Sequence, residues 1–153
     1  NISEKSVYLR YFRSFNLDQR TEHQRLTRIC FVDYDRTIAL VVTRKNEEGD
    51  DVVVAAGRLS RAHATAEAEF ALLVSDAYQG MGVGSQLLRR LLKIGREEGV
   101  ETVIAYMLPE NTGMRHVSQM LGFKFEREED LLKATLELKD FDLEGIEKAQ
   151  TVA

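Results

Sequence analysis

Residues 73–84 read Leu73-Val74-Ser75-Asp76-Ala77-Tyr78-Gln79-Gly80-Met81-Gly82-Val83-Gly84, and this stretch decides the fold. An apolar run ends at Val74, a short turn follows, and three alternating glycines lead into a long helical pattern. Alternating glycines let a backbone bend tightly and approach a ligand without Cβ clashes. The first-turn N–H groups of the helix that follows are free, with the positive end of the helix dipole behind them. That arrangement suits a phosphate or pyrophosphate. A Walker A loop needs a Lys after its glycines, and none follows here. A Rossmann fingerprint needs G-x-G-x-x-G, whereas Gly80, Gly82 and Gly84 bring the third glycine one residue early. Glu101 also stands before a strand and not at a strand end. The same glycines suit a turn that only permits close packing, so an anion loop and a packing turn both remain open on spacing alone.

Upstream, residues 68–75 (AEFALLVS) read as a strand. Alternation places Glu67, Glu69, Ala71 and Leu73 on one face and Phe70, Leu72 and Val74 on the other. Downstream, Val83, Leu87, Leu88, Leu91, Leu92 and Ile94 have helical spacing, and Gly99 closes the helix. Residues 102–107 (TVIAYM) form a strand stopped by Pro109, residues 111–121 a second amphipathic helix ended by Gly122, and residues 124–128 and 133–138 two further strands. Before the central stretch, two β-branched runs at 37–43 and 51–59 flank the polar turn NEEGDD, which predicts an antiparallel hairpin. The first third reads as helical. Ser3 caps a helix through Tyr8 and Phe12, and a second helix spans 21–31 with Leu26, Ile29 and Cys30 on one side. The order predicts an α/β sandwich with a mixed sheet.

The chain has 153 residues, enough for one domain with a core that needs no disulfide or metal staple. The single domain is drawn at 1–138, with a polar C-terminal tail at 139–153. Lys and Arg number 21 against 25 Asp and Glu, so the net charge of −4 argues against nucleic-acid binding through overall positive charge. The lone Cys30 excludes an internal disulfide and a Cys-based zinc site, and His23, His63 and His116 lack metal-ligand spacing. No metal is expected. No apolar stretch approaches the roughly 20 residues of a membrane span, and the first residues lack the apolar core of a signal peptide. A cytoplasmic protein is the expectation, with no membrane or nucleic-acid partner. Nothing in the sequence indicates an oligomeric state.

Gln79-x-x-Gly82-x-Gly84 resembles the Q/R-x-x-G-x-G/A signature of the GNAT N-acetyltransferase superfamily. The approach from Leu73 to Tyr78 is similar to that family's strand and turn, and Asn111 followed by Gly122-Phe123 is similar to its second motif. The resemblance covers about residues 66–138. Further upstream, Ser3-Glu-Lys-Ser6-Val-Tyr8-Leu-Arg10-Tyr-Phe12, residues 33–36, Ala39-Leu40 and Ala68-Glu69-Phe70-Ala71 resemble bacterial Pat-type protein lysine acetyltransferases. Domains of that type are often fused to an acyl-CoA-synthetase-like region, which is not found in these 153 residues, and usually carry a short strand before the segment at Ser3; the sequence starts too late to show it, so that strand either precedes residue 1 or is missing.

The resemblance implies a mixed, mostly antiparallel sheet splayed at an acetyl-CoA site and flanked by helices. It implies acetyl-CoA as acyl donor, with Leu72, Leu73 and Val74 meeting the pantetheine arm through backbone groups. The pyrophosphate would rest on the amides of Gln79, Gly80, Met81, Gly82, Val83 and Gly84, with Asn111 near the donor. Leu72 and Val74 also read as core, and Asn111 as a helix N-cap.

Acyl transfer from a thioester to an amine needs a base, because a lysine amine with pKa near ~10.4 is almost wholly protonated at neutral pH. Glu69 is the candidate base. A charged side chain is unusual in a central strand, and Pat-type domains use a glutamate in the matching Glu-Phe-Ala context. A solvated strand-end carboxylate is its structural alternative, and Glu67 is the reserve. A backbone N–H near Leu73 is the candidate oxyanion donor. Many family members protonate the leaving thiolate with a Tyr seven residues after the motif Asn, a position held here by Ser118. Tyr106 is a weaker substitute that reads better as a core or rim aromatic, and His116 reads as a surface or donor-side residue. Cys30 reads as a buried structural thiol, which leaves direct transfer in a ternary complex. The expected activity is acetylation of a lysine in a protein, such as an acyl-CoA synthetase. The alternatives are acetylation of a small amine or a protein N-terminus, or a non-catalytic acyl-CoA-sensing module.

Overall fold

The computed structural model describes residues 2–3, 5–6 and 34–141. The expected helices through Phe12 and over 21–31, with Cys30, lie outside the described residues beyond Ser6. Among the described residues, six strands form one sheet: β1 (Tyr34–Lys45), β2 (Asp51–Ala62), β3 (Glu67–Val74), β4 (Thr102–Met107), β5 (Lys124–Glu128) and β6 (Leu131–Glu137). Helix α1 (Val83–Glu97) follows β3, and α2 (Thr112–Met120) follows β4. The spatial order is β1-β2-β3-β4-β6-β5, antiparallel except between β3 and β4. This is the expected mixed, mostly antiparallel α/β architecture.

The β1–β2 hairpin turns where the polar run predicted it. Asn46 Oδ1 accepts from the N–H groups of Glu48 at 3.0 Å and Asp50 at 2.8 Å, an Asx-type turn, and Gly49 takes φ +88°. On the side away from the turn, β1 starts three residues before its expected start, at Tyr34, and β2 ends three residues past its expected end, at Ala62. Cross-strand pairing extends a strand beyond its β-branched core whenever the partner offers a ladder.

One face of the sheet carries both helices. The α1 stripe Leu87, Leu88, Leu91 and Leu92 packs with Phe70 and Leu72 of β3, Val103, Ala105 and Met107 of β4, and Ala134 and Leu136 of β6. Each fully buried leucine of that stripe contributes about 1.5–3 kcal/mol. Gly57 and Gly95 allow close approach of helix and sheet. A methyl on Gly95 would meet Leu59 Cδ2 at 2.5 Å. Both helices end in Schellman motifs: Gly99 N–H donates to Arg96 O and Val100 N–H to Gly95 O, while Gly122 N–H donates to Gln119 O and Phe123 N–H to Ser118 O. These motifs bring Val100 and Phe123 back onto the core, where Phe123 meets Phe70 edge-on at 5.4 Å between ring centroids. The packed fold extends past residue 138. Leu138–Asp140 form a 3-10 turn, and Phe141 is buried in the same core.

Candidate active site

The sheet is two three-stranded halves joined by very little. β3 pairs with β2 from Ala68 to Val74, and β4 pairs with β6 over its whole length. β3 and β4 meet only at Glu67↔Thr102, Ala68↔Val103 and Glu69↔Ile104. Past Glu69 the two parallel strands separate. The β4-facing backbone edge of residues 70–74 therefore has no strand partner among the described residues, and backbone polar groups on such an edge need one. An extended amide-bearing ligand lying in the gap would satisfy them in the manner of an added strand.

The gap opens toward the glycine loop. After β3, Asp76–Tyr78 form a 3-10 turn, Gly80 and Gly82 take φ +72° and +82°, and Gly82 is the N-cap of α1. No side chain caps α1, and its first turn contains no acid. The backbone N–H groups of residues 80–85 have no hydrogen-bond partner among the described residues. Six successive donors at a helix N-terminus form an anion-binding concavity. The three glycines serve different purposes. Gly80 and Gly82 are required by their left-handed φ and have open space where a Cβ would stand. Gly84 has an ordinary φ, and a methyl there would make normal contacts of 3.7 Å with Val74 and 3.9 Å with Val117. That fits a signature accepting Gly or Ala at this position.

The expected donor residues are distributed along this path. Leu72 is buried in the core, Leu73 faces the opposite side of β3, and Val74 packs on the core near Gly84, so only their backbones are free to serve the gap. Met81 is 67% exposed at the tip of the loop. Gln79 is part of the loop's framework. Its N–H donates to Asp76 O at 3.3 Å, and its side-chain amide reaches Val74 O and Ser6 Oγ at 3.0 Å and Asp76 Oδ1 at 3.2 Å. Asn111 is the N-cap of α2 and accepts from Met114 N–H at 3.2 Å. The Ser3 hydroxyl accepts from Ser6 N–H at 3.2 Å, as the capping expectation requires. Sequence reasoning missed what this cap touches: Ser3 N–H donates to Asp76 Oδ2 at 3.0 Å, and Ser6 Oγ donates to Asp76 Oδ1 at 2.6 Å. The Ser6 hydroxyl, and then that of Ser3, hold the Asp76 carboxyl below its ordinary range.

Glu69 is half-buried on the face away from α1 and α2, at the last residue pair joining β3 to β4. Glu67 shares that face and is exposed. By strand register, Ser60 of β2, Ile104 and Tyr106 of β4, and Lys133 of β6 lie on the same side. Lys133 Nζ stands 5.9 Å from the Tyr106 ring centroid and 3.7 Å from Glu128 Oε1. Tyr106 foremost, with smaller help from Glu128 and Glu67, raises the ammonium's pKa against a modest desolvation. Tyr106 is half-buried on the rim of the gap. Ser118 is fully buried within α2's inner face, and its hydroxyl has no hydrogen-bond partner among the described residues. His116 is exposed on α2. No group of three or more His, Cys, Asp or Glu able to hold a metal occurs among the described residues. No described helix is long and apolar enough to cross a membrane.

A splayed parallel pair, an unpaired strand edge and a six-amide anion loop fit the pantetheine arm and pyrophosphate of a coenzyme A thioester. Comparison with known proteins agrees. Residues 6–123 match the model of the acetyltransferase (GNAT) family. An acetyltransferase of Pseudomonas aeruginosa is 26% identical over 129 residues, covering 84% of this chain and 69% of the relative. The acetyltransferase Pat of Mycolicibacterium smegmatis is 32% identical over 119 residues, covering 77% of this chain and 35% of Pat, so the chain spans about a third of that protein. The crystal structure of the GNAT domain of S. lividans PAT superposes with a TM-score of 0.68 at 30% identity, covering 89% of this chain and 78% of that one. The chain belongs to the GNAT acetyltransferase family and is an N-acetyltransferase with acetyl-CoA as its acyl donor.

Proposed function

We propose that this domain transfers the acetyl group of acetyl-CoA to the side-chain amine of a lysine in a protein, directly and with Glu69 as general base. The observation that carries the reading is the position of Glu69 at the apex of the splay, on the face opposite the helices. A thioester in the gap has its carbonyl near that apex, and an amine approaching from the Glu69 face meets the carboxylate first. The similarity to Pat of M. smegmatis and to the S. lividans PAT domain supports a protein lysine as acceptor.

The chemistry then follows in order. Glu69, directly or through one water, takes a proton from the lysine ammonium. The neutral nitrogen attacks the thioester carbon, and a backbone N–H of β3 near Leu73 stabilises the oxyanion. The C–N bond forms, the attacking nitrogen gives up its second proton to solvent, the C–S bond breaks, and coenzyme A leaves as a thiolate that solvent protonates. Ser118 supplies no proton because it is enclosed. The amides of residues 80–85 hold the pyrophosphate, Gln79 holds the loop, and Asn111 sets the start of α2 beside it.

The test is thiol release from acetyl-CoA with folded proteins, including an acyl-CoA synthetase, and small amines as acceptors, for the parent chain and Glu69→Gln. The expected result is turnover on a protein lysine, with kcat lowered by about 10²–10⁴ in Glu69→Gln and acetyl-CoA affinity retained. Equal kcat in the two proteins overturns the base assignment. Acetyl-CoA binding with turnover only on small amines overturns the protein acceptor.

A further inference from the structure

We propose that Asp76 is a positioning residue for the acetyl donor: with Ser3, Ser6 and Gln79 it forms a clasp that fixes the glycine loop in its anion-binding shape. The inference rests on the reading of residues 80–85 as the pyrophosphate site. Asp76 begins the turn that delivers the chain to that loop, and its two carboxylate oxygens are engaged separately. Oδ2 accepts from Ser3 N–H at 3.0 Å, and Oδ1 accepts from Ser6 Oγ at 2.6 Å and from Gln79 Nε2 at 3.2 Å. Ser6 is the hub, since its hydroxyl donates to Asp76 while accepting from Gln79 Nε2 at 3.0 Å. Gln79 shares its two amide hydrogens among Ser6, Asp76 and Val74 O, the last residue of β3. The network therefore joins the end of β3, the turn and the residue preceding Gly80 to a segment 70 or more positions away in sequence.

The loop needs such a clasp. Two glycines at positive φ flank Met81, which is largely exposed, and a Cβ at either glycine would meet nothing within 4 Å. Among the described residues, neither packing nor a side-chain cap on α1 holds residues 80–82 in place. Donors that must converge on one anion lose affinity when their loop samples other shapes. Ser3, Asp76 and Gln79 are exposed and Ser6 is half-buried, so the network adds little to global stability. Its effect falls on the shape of the loop, and hence on donor affinity.

The experiment measures KM for acetyl-CoA and kcat at saturating acceptor for Asp76→Ala, Ser6→Ala, the double variant, Ser6→Thr and Gly82→Ala, with melting temperatures recorded for each. Asp76→Ala and Ser6→Ala are expected to raise the KM for acetyl-CoA about tenfold, roughly one charge-assisted hydrogen bond, with kcat within about twofold of the parent. The double variant is expected to match the worse single, because both remove one unit. Ser6→Thr keeps the hydroxyl and is expected to restore the parent KM. A parental KM in Asp76→Ala and Ser6→Ala, or equal loss from Ser6→Thr and Ser6→Ala, overturns the clasp. Gly82→Ala separates the two levels: if it raises KM while the clasp variants do not, only the clasp fails, and if its KM is also parental, the loop is not the pyrophosphate site.

Discussion

Gly57 and Gly113 accept the same methyl group with opposite consequences. Gly57 lies mid-β2 beneath α1, opposite Leu72 of β3. A methyl there would stand 2.7 Å from Leu72 Cδ2, 2.9 Å from Leu91 Cδ1 and 3.1 Å from Leu87 Cδ2. Carbon atoms rest about 3.5–4.0 Å apart, so each leucine must retreat by about half an ångström or more. None has room, since Leu91 is 0%, Leu87 3% and Leu72 5% exposed. Such overpacking costs about 1–3 kcal/mol and exceeds the roughly 0.4–1 kcal/mol gained by restricting the unfolded chain. At about 2–4 °C per kcal/mol for a chain of this size, Gly57→Ala lowers Tm by several degrees. Gly113, in the first turn of α2, has an ordinary φ and nothing within 4 Å of a Cβ. Gly113→Ala therefore raises stability by about 0.4–1 kcal/mol. Thermal unfolding of the two variants beside the parent, without acetyl-CoA, is the assay. A Gly57→Ala protein that melts at or above the parent refutes the claim that helix-to-sheet distance is set at this glycine.

Other outcomes follow from the same geometry. Asn111→Ala removes the cap of α2 and costs about 0.5–2 kcal/mol in denaturant unfolding, while Asn111→Asp, which can cap equally well, recovers most of it. Ser118→Ala deletes an enclosed hydroxyl with no partner among the described residues, so stability is unchanged or rises by about 1 kcal/mol and kcat stays parental; a loss of kcat would make Ser118 the proton donor after all. Asp76 has a lowered pKa, so its contribution is present above the ordinary Asp value near ~3.9 and is lost as pH falls through the lower folded value. Acetyl-CoA affinity of the parent is thus expected to hold down to about pH 4 on this account, and Asp76→Asn to show weaker binding at neutral pH that varies less across the acid range.

Much of this protein was legible locally. The strand, turn, glycine and helix pattern around residue 80 depends on backbone conformations that only glycine adopts freely and on a stripe of leucines at helical spacing. Sequence states both directly. The alternation that set Glu69 apart from Phe70 and Leu72 is a property of any strand, and it holds in β3. The ends of both helices follow from Gly99 and Gly122 for the same local reason. The resemblance of two motifs carried the family, because their spacing matches a loop and a cap that act together.

Other features required the chain to fold back on itself. No pattern within residues 67–74 or 102–107 reveals that their pairing stops after Glu69, since divergence is a relation between two strands and belongs to neither. The enclosure of Ser118 depends on which side of α2 meets the core, and the inclusion of Phe141 in that core depends on the Leu138–Asp140 turn. The bonds from Ser3 and Ser6 to Asp76 span 73 and 70 positions in sequence. Sequence alone determined the strands and helices from β1 to β6, because propensity, periodicity and backbone freedom act over a few residues. Tertiary structure decided which of their groups share one site, because hydrogen bonds and packing depend on distance in space and not on separation along the chain.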